Sequence, residues 1–267
     1  MPTVNSEGVA IDYEFINPQH TDTPVFLITG LGGIRSVWAN QIEAFSATRP
    51  LILHDHRGTG KSAKPSGVYS VLNMAKDITA IMDDLEIEKA HLVGSSTGGA
   101  IIQVMCIDYP DRVKSGSIVS SWPRSDAYFT RQFSVRKEVL LNMGWETYTR
   151  FSTFTLHSPK FFTDNFQGIQ MQENQSIANA PPAEIMAERI DCIIAHDQLD
   201  RLGQITCPVL VAVARDDVVT PPYYSHQLCD AIPEAELKIF DEGGHFVYIE
   251  KPVEFNEAIL EFIQRHD

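Results

Sequence analysis

Short apolar runs recur along the chain, separated by longer stretches in which apolar and polar positions alternate at helical spacing. VFLITG (25–30), PLILHDHRG (50–58), AHLVGSS (90–96), SGSIVSS (115–121) and CPVLVAVARDD (207–217) read as strands buried on both faces. Between them, YSVLNMAKDITAIMDDLEI (69–87) and GGAIIQVMCIDYPDRV (98–113) read as helices, the second broken at Pro110. Strands alternating with helices predict a parallel sheet of βαβ units covered on both faces. The opening VNSEGVAIDYEFI reads instead as a small antiparallel hairpin ahead of that sheet.

The rhythm changes from 122 to 202. Aromatic and polar residues mix, strand runs vanish, and ANAPPAEI (178–185) interrupts helical segments. The chain then returns to a strand that extends the earlier pattern. One core made of 1–121 and 203–267, carrying a helical lid at 122–202, is therefore expected. No internal repeat or low-complexity segment occurs.

Composition narrows the partners. The chain has 267 residues, 43% of them hydrophobic, enough to bury a sizeable core. Its 21 Lys+Arg against 35 Asp+Glu leave a net charge of −14, a field that repels nucleic acid and anionic membranes. The first residues lack a basic segment followed by an apolar one, and no apolar run approaches the roughly 18 residues of a membrane span. A cytoplasmic protein, monomer or homodimer, is expected. Cys106, Cys192, Cys207 and Cys229 are widely spaced and form no CxxC, which argues for free thiols and against a zinc site.

Gly94-Ser95-Ser96-Thr97-Gly98 fits G-x-S-x-G between a predicted strand and a predicted helix. A sharp turn there would present the Ser96 hydroxyl at the carboxyl edge of the sheet, with the helix N–H groups behind it. Ser95, one position short of the centre, is the rival nucleophile. A serine hydroxyl needs a base, and His245 in FDEGGHFVYIEKPVEF sits in a flexible loop after a strand ending at Phe240. His54, His56 and His91 read as structural hydrogen-bonding residues. The base needs an acid, and Asp217, or less favourably Asp216, ends an apolar strand where an unpaired carboxylate would be costly.

The order Ser96, Asp217, His245 resembles that of the α/β-hydrolase fold over nearly the whole chain. DHRGTGKS resembles that family's segment after the fourth strand, ARDDVVTP its acid loop and GGHFVYIEKPVEF its histidine loop. The resemblance implies a mostly parallel, eight-stranded α/β sheet flanked by helices, with a helical lid. It also implies an oxyanion hole. In the loop commonly written H-G-x-G the chain has TGLGG, so Thr29 replaces the histidine, and the N–H groups of Leu31 and Thr97 are the expected donors. The G-x-G-x-x-G and P-loop patterns are missing, and neither cofactor nor metal is expected.

The family hosts many reactions. A serine at the elbow disfavours its dehalogenases and epoxide hydrolases, which use aspartate. Phe246 after His245, where the meta-cleavage C–C hydrolases usually have tryptophan, lowers that reading. SSWPRSDAYFTRQFSVRKEVLLNMGWETY and ERIDCIIAHDQLDRLGQITCPV resemble the aminoacrylate hydrolases and, less closely, the enol-lactonases. An ester or lactone hydrolase acting on a small molecule is expected. Hydrolysis of an enamine or amide bond, a C–C hydrolase and a non-catalytic small-molecule receptor stand as alternatives. Arg35, Arg124, Arg131 and Arg136 are candidates to bind a substrate carboxylate. Trp122, Phe129, Phe133, Trp145, Phe151 and Phe246 are candidates to line the acyl pocket.

Overall fold

A computed structural model describes residues 2–267. In chain order its elements are β1 (Thr3–Ser6), β2 (Val9–Ile16), β3 (Val25–Ile28), α1 (Ala39–Ser46), β4 (Leu51–His54), α2 (Val71–Asp84), β5 (Ala90–Ser95), α3 (Thr97–Asp108) and β6 (Val113–Val119). There follow α4 (Ala127–Leu156), α5 (Pro159–Asp164), α6 (Phe166–Ala178) and α7 (Ala183–Ile194), then β7 (Val209–Ala214), α8 (Pro222–Ala231), β8 (Glu236–Phe240), α9 (Val247–Glu250) and α10 (Pro252–Arg265). Among the described residues the strands form one eight-stranded sheet in the order β1-β2-β4-β3-β5-β6-β7-β8. From β4 to β8 every pairing is parallel, while β1 and β2 pair antiparallel at one side.

The central strands are buried along their whole length, as their unbroken apolar runs require. Successive side chains still serve different layers. Phe26 and Ile28 pack with α2, α3 and α8 on one face, whereas Val25 and Leu27 pack with Trp38, Phe45, Phe255 and Phe262 of the α1, α9 and α10 layer on the other. Helix α2 begins where Ser70 caps it, its side chain accepting from the Asn73 N–H, two residues later than the pattern suggests.

Strand β4 stops at His54, short of the expected 58. The Asp55 carboxylate explains the break: it accepts the backbone N–H groups of Arg35 and Lys61 at 2.9 Å each, folding the chain into a turn instead of a ladder. Arg57 then forks onto Asp77 of α2 at 2.8 and 2.6 Å, both side chains being buried. Removing one partner of such a pair typically costs about 3–5 kcal/mol, so this bridge locks the turn to α2.

The helices α4 to α7 all lie between β6 and β7, the helical insertion over the sheet. Helix α4 is broken at Gly144, whose φ of 80° and ψ of 178° are not helical. Since β5 lies between β3 and β6, the loops that follow these three strands emerge side by side at the carboxyl edge, with those of β7 and β8 next to them. That edge is where the insertion sits.

Candidate active site

Ser96 occupies the turn between β5 and α3 with φ 56° and ψ −114°, a left-handed conformation that is strained for a non-glycine residue. The turn closes because its two glycines lack side chains. A Cβ on Gly94 would fall 2.4 Å from the Gly98 carbonyl carbon, and one on Gly98 would fall 2.3 Å from the Ile28 carbonyl oxygen. Both are distances at which something must move, so G-x-S-x-G is here a packing requirement. The Ser96 N–H donates to Val119 O at 2.8 Å and its carbonyl accepts from Ser121 Oγ at 2.9 Å, fixing the turn to the end of β6.

Asp217 lies at the end of β7, buried, and accepts from the N–H groups of Val219 and Thr220 at 2.8 and 2.9 Å and from Thr220 Oγ1 at 2.9 Å. His245 Nδ1 stands 2.9 Å from Asp217 Oδ2 and 3.1 Å from Oδ1. Burial alone would raise the Asp217 pKa, but the pull of His245 and the hydrogen bonds of His245 and Thr220 bring it below the ordinary carboxylate value. A carboxylate that stays ionised fixes the imidazole with its proton on Nδ1 and leaves Nε2 free to accept. The neighbouring Asp216 has another task. Its Oδ1 accepts the Gly244 N–H at 3.0 Å and so holds the histidine loop. The His245 N–H donates to Leu156 O, the last residue of α4, at 2.9 Å.

The loop after β3 stands against the serine. A Cβ on Gly30 would come 3.4 Å from Ser96 Cβ and 3.9 Å from its Oγ. Among the described residues neither the Leu31 nor the Thr97 N–H has a hydrogen-bond partner. Thr29, where the usual motif has histidine, closes the loop itself, its hydroxyl reaching Gly33 O at 3.2 Å. A second support comes from the end of β4 and the turn after it: His56 Nε2 lies 2.9 Å from Thr29 O, and His54 Nε2 lies 3.1 Å from His56 Nδ1. Burial pushes the His56 pKa well below 6.5 and that of His54 down to about 3. Both rings are therefore neutral near pH 7. His56 then donates to Thr29 O and accepts from His54, a relay with its proton positions fixed by the carbonyl at its end.

The profile of the family described as "alpha/beta hydrolase fold" matches residues 23–252. The chain belongs to that family. Its relatives include a protein called putative carbamate hydrolase RutD from Azorhizobium caulinodans, 38% identical over 98% of both chains. The enol-lactonase from Burkholderia xenovorans LB400 superimposes with a TM-score of 0.91 at 22% identity, over 98% of this chain and 100% of that one. Est816, described as an N-acyl homoserine lactone degrading enzyme, gives 0.85 at 27% identity over 98% and 100%.

On this α/β-hydrolase scaffold the expected substrate arginines fare differently. Arg35 is buried against Asp12 and 3.6 Å from Glu14, so its charge is already neutralised inside the protein. Arg124 is exposed and forks onto Asp197 and Asp200 at 2.7 Å each. Neither is available for a carboxylate, because each guanidinium already has one. Trp122, Phe129 and Phe133 are buried in a continuous row, with ring centroids 4.3 and 4.4 Å apart. Trp145 packs edge-on against Tyr148 at 5.3 Å, and Phe246 lies between His157 at 5.4 Å and His245 at 6.0 Å.

Arg189 of α7 escaped sequence reasoning. Fully buried, it donates through Nε and Nη2 to Leu31 O and through Nη1 to Arg57 O, tying the insertion to the loop beside Ser96. Burial lowers its pKa to about 10, so it stays charged. A signal existed: Arg189 is a lone cation among Ile185, Met186, Ile190 and Ile193 on the apolar face of its helix. Glu250 also went unnoticed. It accepts from the Ser158 N–H at 2.9 Å and His157 Nδ1 at 3.1 Å, bracing the far end of the histidine loop.

Proposed function

We propose that the chain is a cofactor-independent serine hydrolase of a small carboxylic ester or lactone. Ser96 Oγ attacks the carbonyl, His245 takes its proton, and Asp217 holds His245 and stabilises the imidazolium. The Leu31 and Thr97 N–H groups bind the oxyanion, helped by the positive end of α3. His245 then protonates the leaving group, and water, activated by the same histidine, releases the acid. The buried Asp217–His245 pair at 2.9 Å, on loops at the same sheet edge as a serine held in a strained turn, carries this reading. The family's enol-lactonase and lactone-degrading members support the substrate class.

The test is time-resolved hydrolysis of a panel of p-nitrophenyl esters and lactones by the native chain and Ser96→Ala. Loss of roughly 10⁴-fold or more in kcat is expected for the variant. Turnover that survives the substitution would remove Ser96 from the mechanism. A second reading, cleavage of a carbamate or related C–N bond, is favoured by the 38% identity to a putative carbamate hydrolase. It predicts ammonia release from carbamoyl substrates faster than release of alcohol from esters. No helix of the described residues is long and apolar enough to cross a membrane. We place the enzyme in the reducing cytoplasm, a setting that suits four free cysteines.

A further inference from the structure

Among the described residues five arginines are buried, and four have their charge or donors engaged. Arg35 meets Asp12, Arg49 meets Asp267, Arg57 meets Asp77, and Arg189 fills itself with main-chain carbonyls. Arg136 differs. It is 4% exposed, has no carboxylate within reach among the described residues, and makes one hydrogen bond, from Nη2 to Thr155 Oγ1. Its Nε is buried with no hydrogen-bond partner among the described residues. A buried cation left with open donors is costly unless something else completes it.

Its position says what that something is. The first half of α4 is fastened to the acid loop, with the Tyr128 hydroxyl donating to Val218 O and Gln132 Nε2 to Val219 O at 3.2 Å. The end of α4 is fastened to the histidine loop through Leu156 O. Arg136 sits one turn beyond Gln132 and reaches Thr155, the neighbour of Leu156, so the guanidinium lies between the two segments that grip Asp217 and His245. The Asp217 carboxylate is close enough to act on it electrostatically. Arg136 also lies over the Phe133 ring at 5.0 Å, which extends the row Trp122, Phe129, Phe133 to a cationic end. At the other end, after the Ser121 that bonds Ser96 O, Trp122 Nε1 is likewise buried without a partner. The aromatic row thus ends on each side in a buried donor with no hydrogen-bond partner among the described residues.

We propose that Arg136 is the anchor for a carboxylate on the substrate, remote from the carbonyl that Ser96 attacks, so that the preferred substrates are small anionic esters or lactones. The proposal rests on the ester and lactone reading of the same site. It makes Arg136 a specificity residue: its guanidinium donates to the substrate carboxylate and sets the position of the scissile bond without entering the chemistry.

The test compares mono-4-nitrophenyl succinate with its neutral methyl ester on the native chain, Arg136→Met and Arg136→Lys. In Arg136→Met the ratio of kcat/KM for the charged over the neutral ester is expected to fall about 10- to 100-fold, as for loss of a charge-assisted pair. Arg136→Lys, which keeps the charge without the fork, should fall between and also serves if the methionine variant does not fold. An unchanged ratio in folded variants would overturn the anchor. Succinate alone supplies a readout without turnover: it should raise the Tm of the native chain and lose that effect in the variants. If neither ester is turned over yet succinate stabilises through Arg136, the ester and lactone reading falls and the anchor stands. If both esters are turned over with the same ratio in every chain, and succinate stabilises all alike, the anchor falls and the hydrolase stands.

Discussion

The carboxyl edge of the sheet and the helical insertion above it are held together by different forces. Strands β3, β4, β5 and β7 are buried at every position and mostly aliphatic, and the turns at their ends are fixed by backbone bonds and missing Cβ atoms. The insertion leaves Tyr128, Leu141, Met143, Phe154, Phe166 and Met171 exposed, while burying Arg136, Arg189, Thr149 and Ser152. Phe129, Phe133, Met186 and Ile190 join it to the apolar cluster of the sheet, and polar ties add direction: Arg189 on Leu31 O, Tyr128 and Gln132 on the acid loop, and Leu156 O under His245. A hydrophobic layer fixes where an element lies, but a directional hydrogen bond fixes which way a peptide points. The insertion is therefore a second set of supports for the loops that carry Leu31, Asp217 and His245 as well as a cover over them.

The largest effect is expected where the two regions meet. Arg189→Met leaves the carbonyls of Leu31 and Arg57 without their donor, so the loop carrying the Leu31 N–H should lose its orientation. A loss of about 10²-fold in kcat, with KM little changed, is expected from one misplaced oxyanion donor. Stability should fall by about 1–3 kcal/mol for each carbonyl left bare, read by urea unfolding. A variant with native kcat would show that the sheet edge orients this loop unaided.

A smaller effect sharpens the contrast by pH. Burial lowers the pKa of His54 to about 3 and of His91 and His196 to about 4. The unfolded chain protonates these rings near pH 6.5 while the folded chain does not. The stability they contribute is therefore fully present above pH 6.5 and is lost as pH falls from there toward 4. Each ring adds a slope of up to about 1.4 kcal/mol per pH unit in that window. His54 and His91 belong to the sheet, whereas His196 follows α7 and contacts Gln103 at 3.3 Å. His196→Gln should flatten the curve of unfolding free energy against pH by about one proton. No change in slope would mean that the end of the insertion opens before the sheet does.

The smallest effect is expected at the outer surface of the insertion. Arg124→Ala breaks two exposed ion pairs, which solvent screens and which add little to stability. Its kcat/KM for charged and neutral esters should stay at the native value. A selective loss on the charged ester would return Arg124 to the substrate and weaken the case for Arg136.

Much of the site was legible because short-range rules govern it. G-x-S-x-G names its own turn, since a Cβ on Gly94 would meet Gly98 four residues on, whereas Gly98 is required by Ile28 across the sheet. Asp217 stood out as a carboxylate at the end of an apolar strand, and His245 as a histidine after two glycines. Arg35, Arg124 and Arg136 looked alike, because nothing local tells an arginine whether a carboxylate waits across the fold. Asp12, 23 residues before Arg35, and Asp197, 73 after Arg124, are such partners. Arg136 has none within reach among the described residues. Strand and helix alternation and the serine turn can be read along the chain, because burial periodicity and backbone sterics act over a few residues. Which buried charges are satisfied cannot be read that way, since pairing depends on what folding brings within about 4 Å from distant parts of the chain.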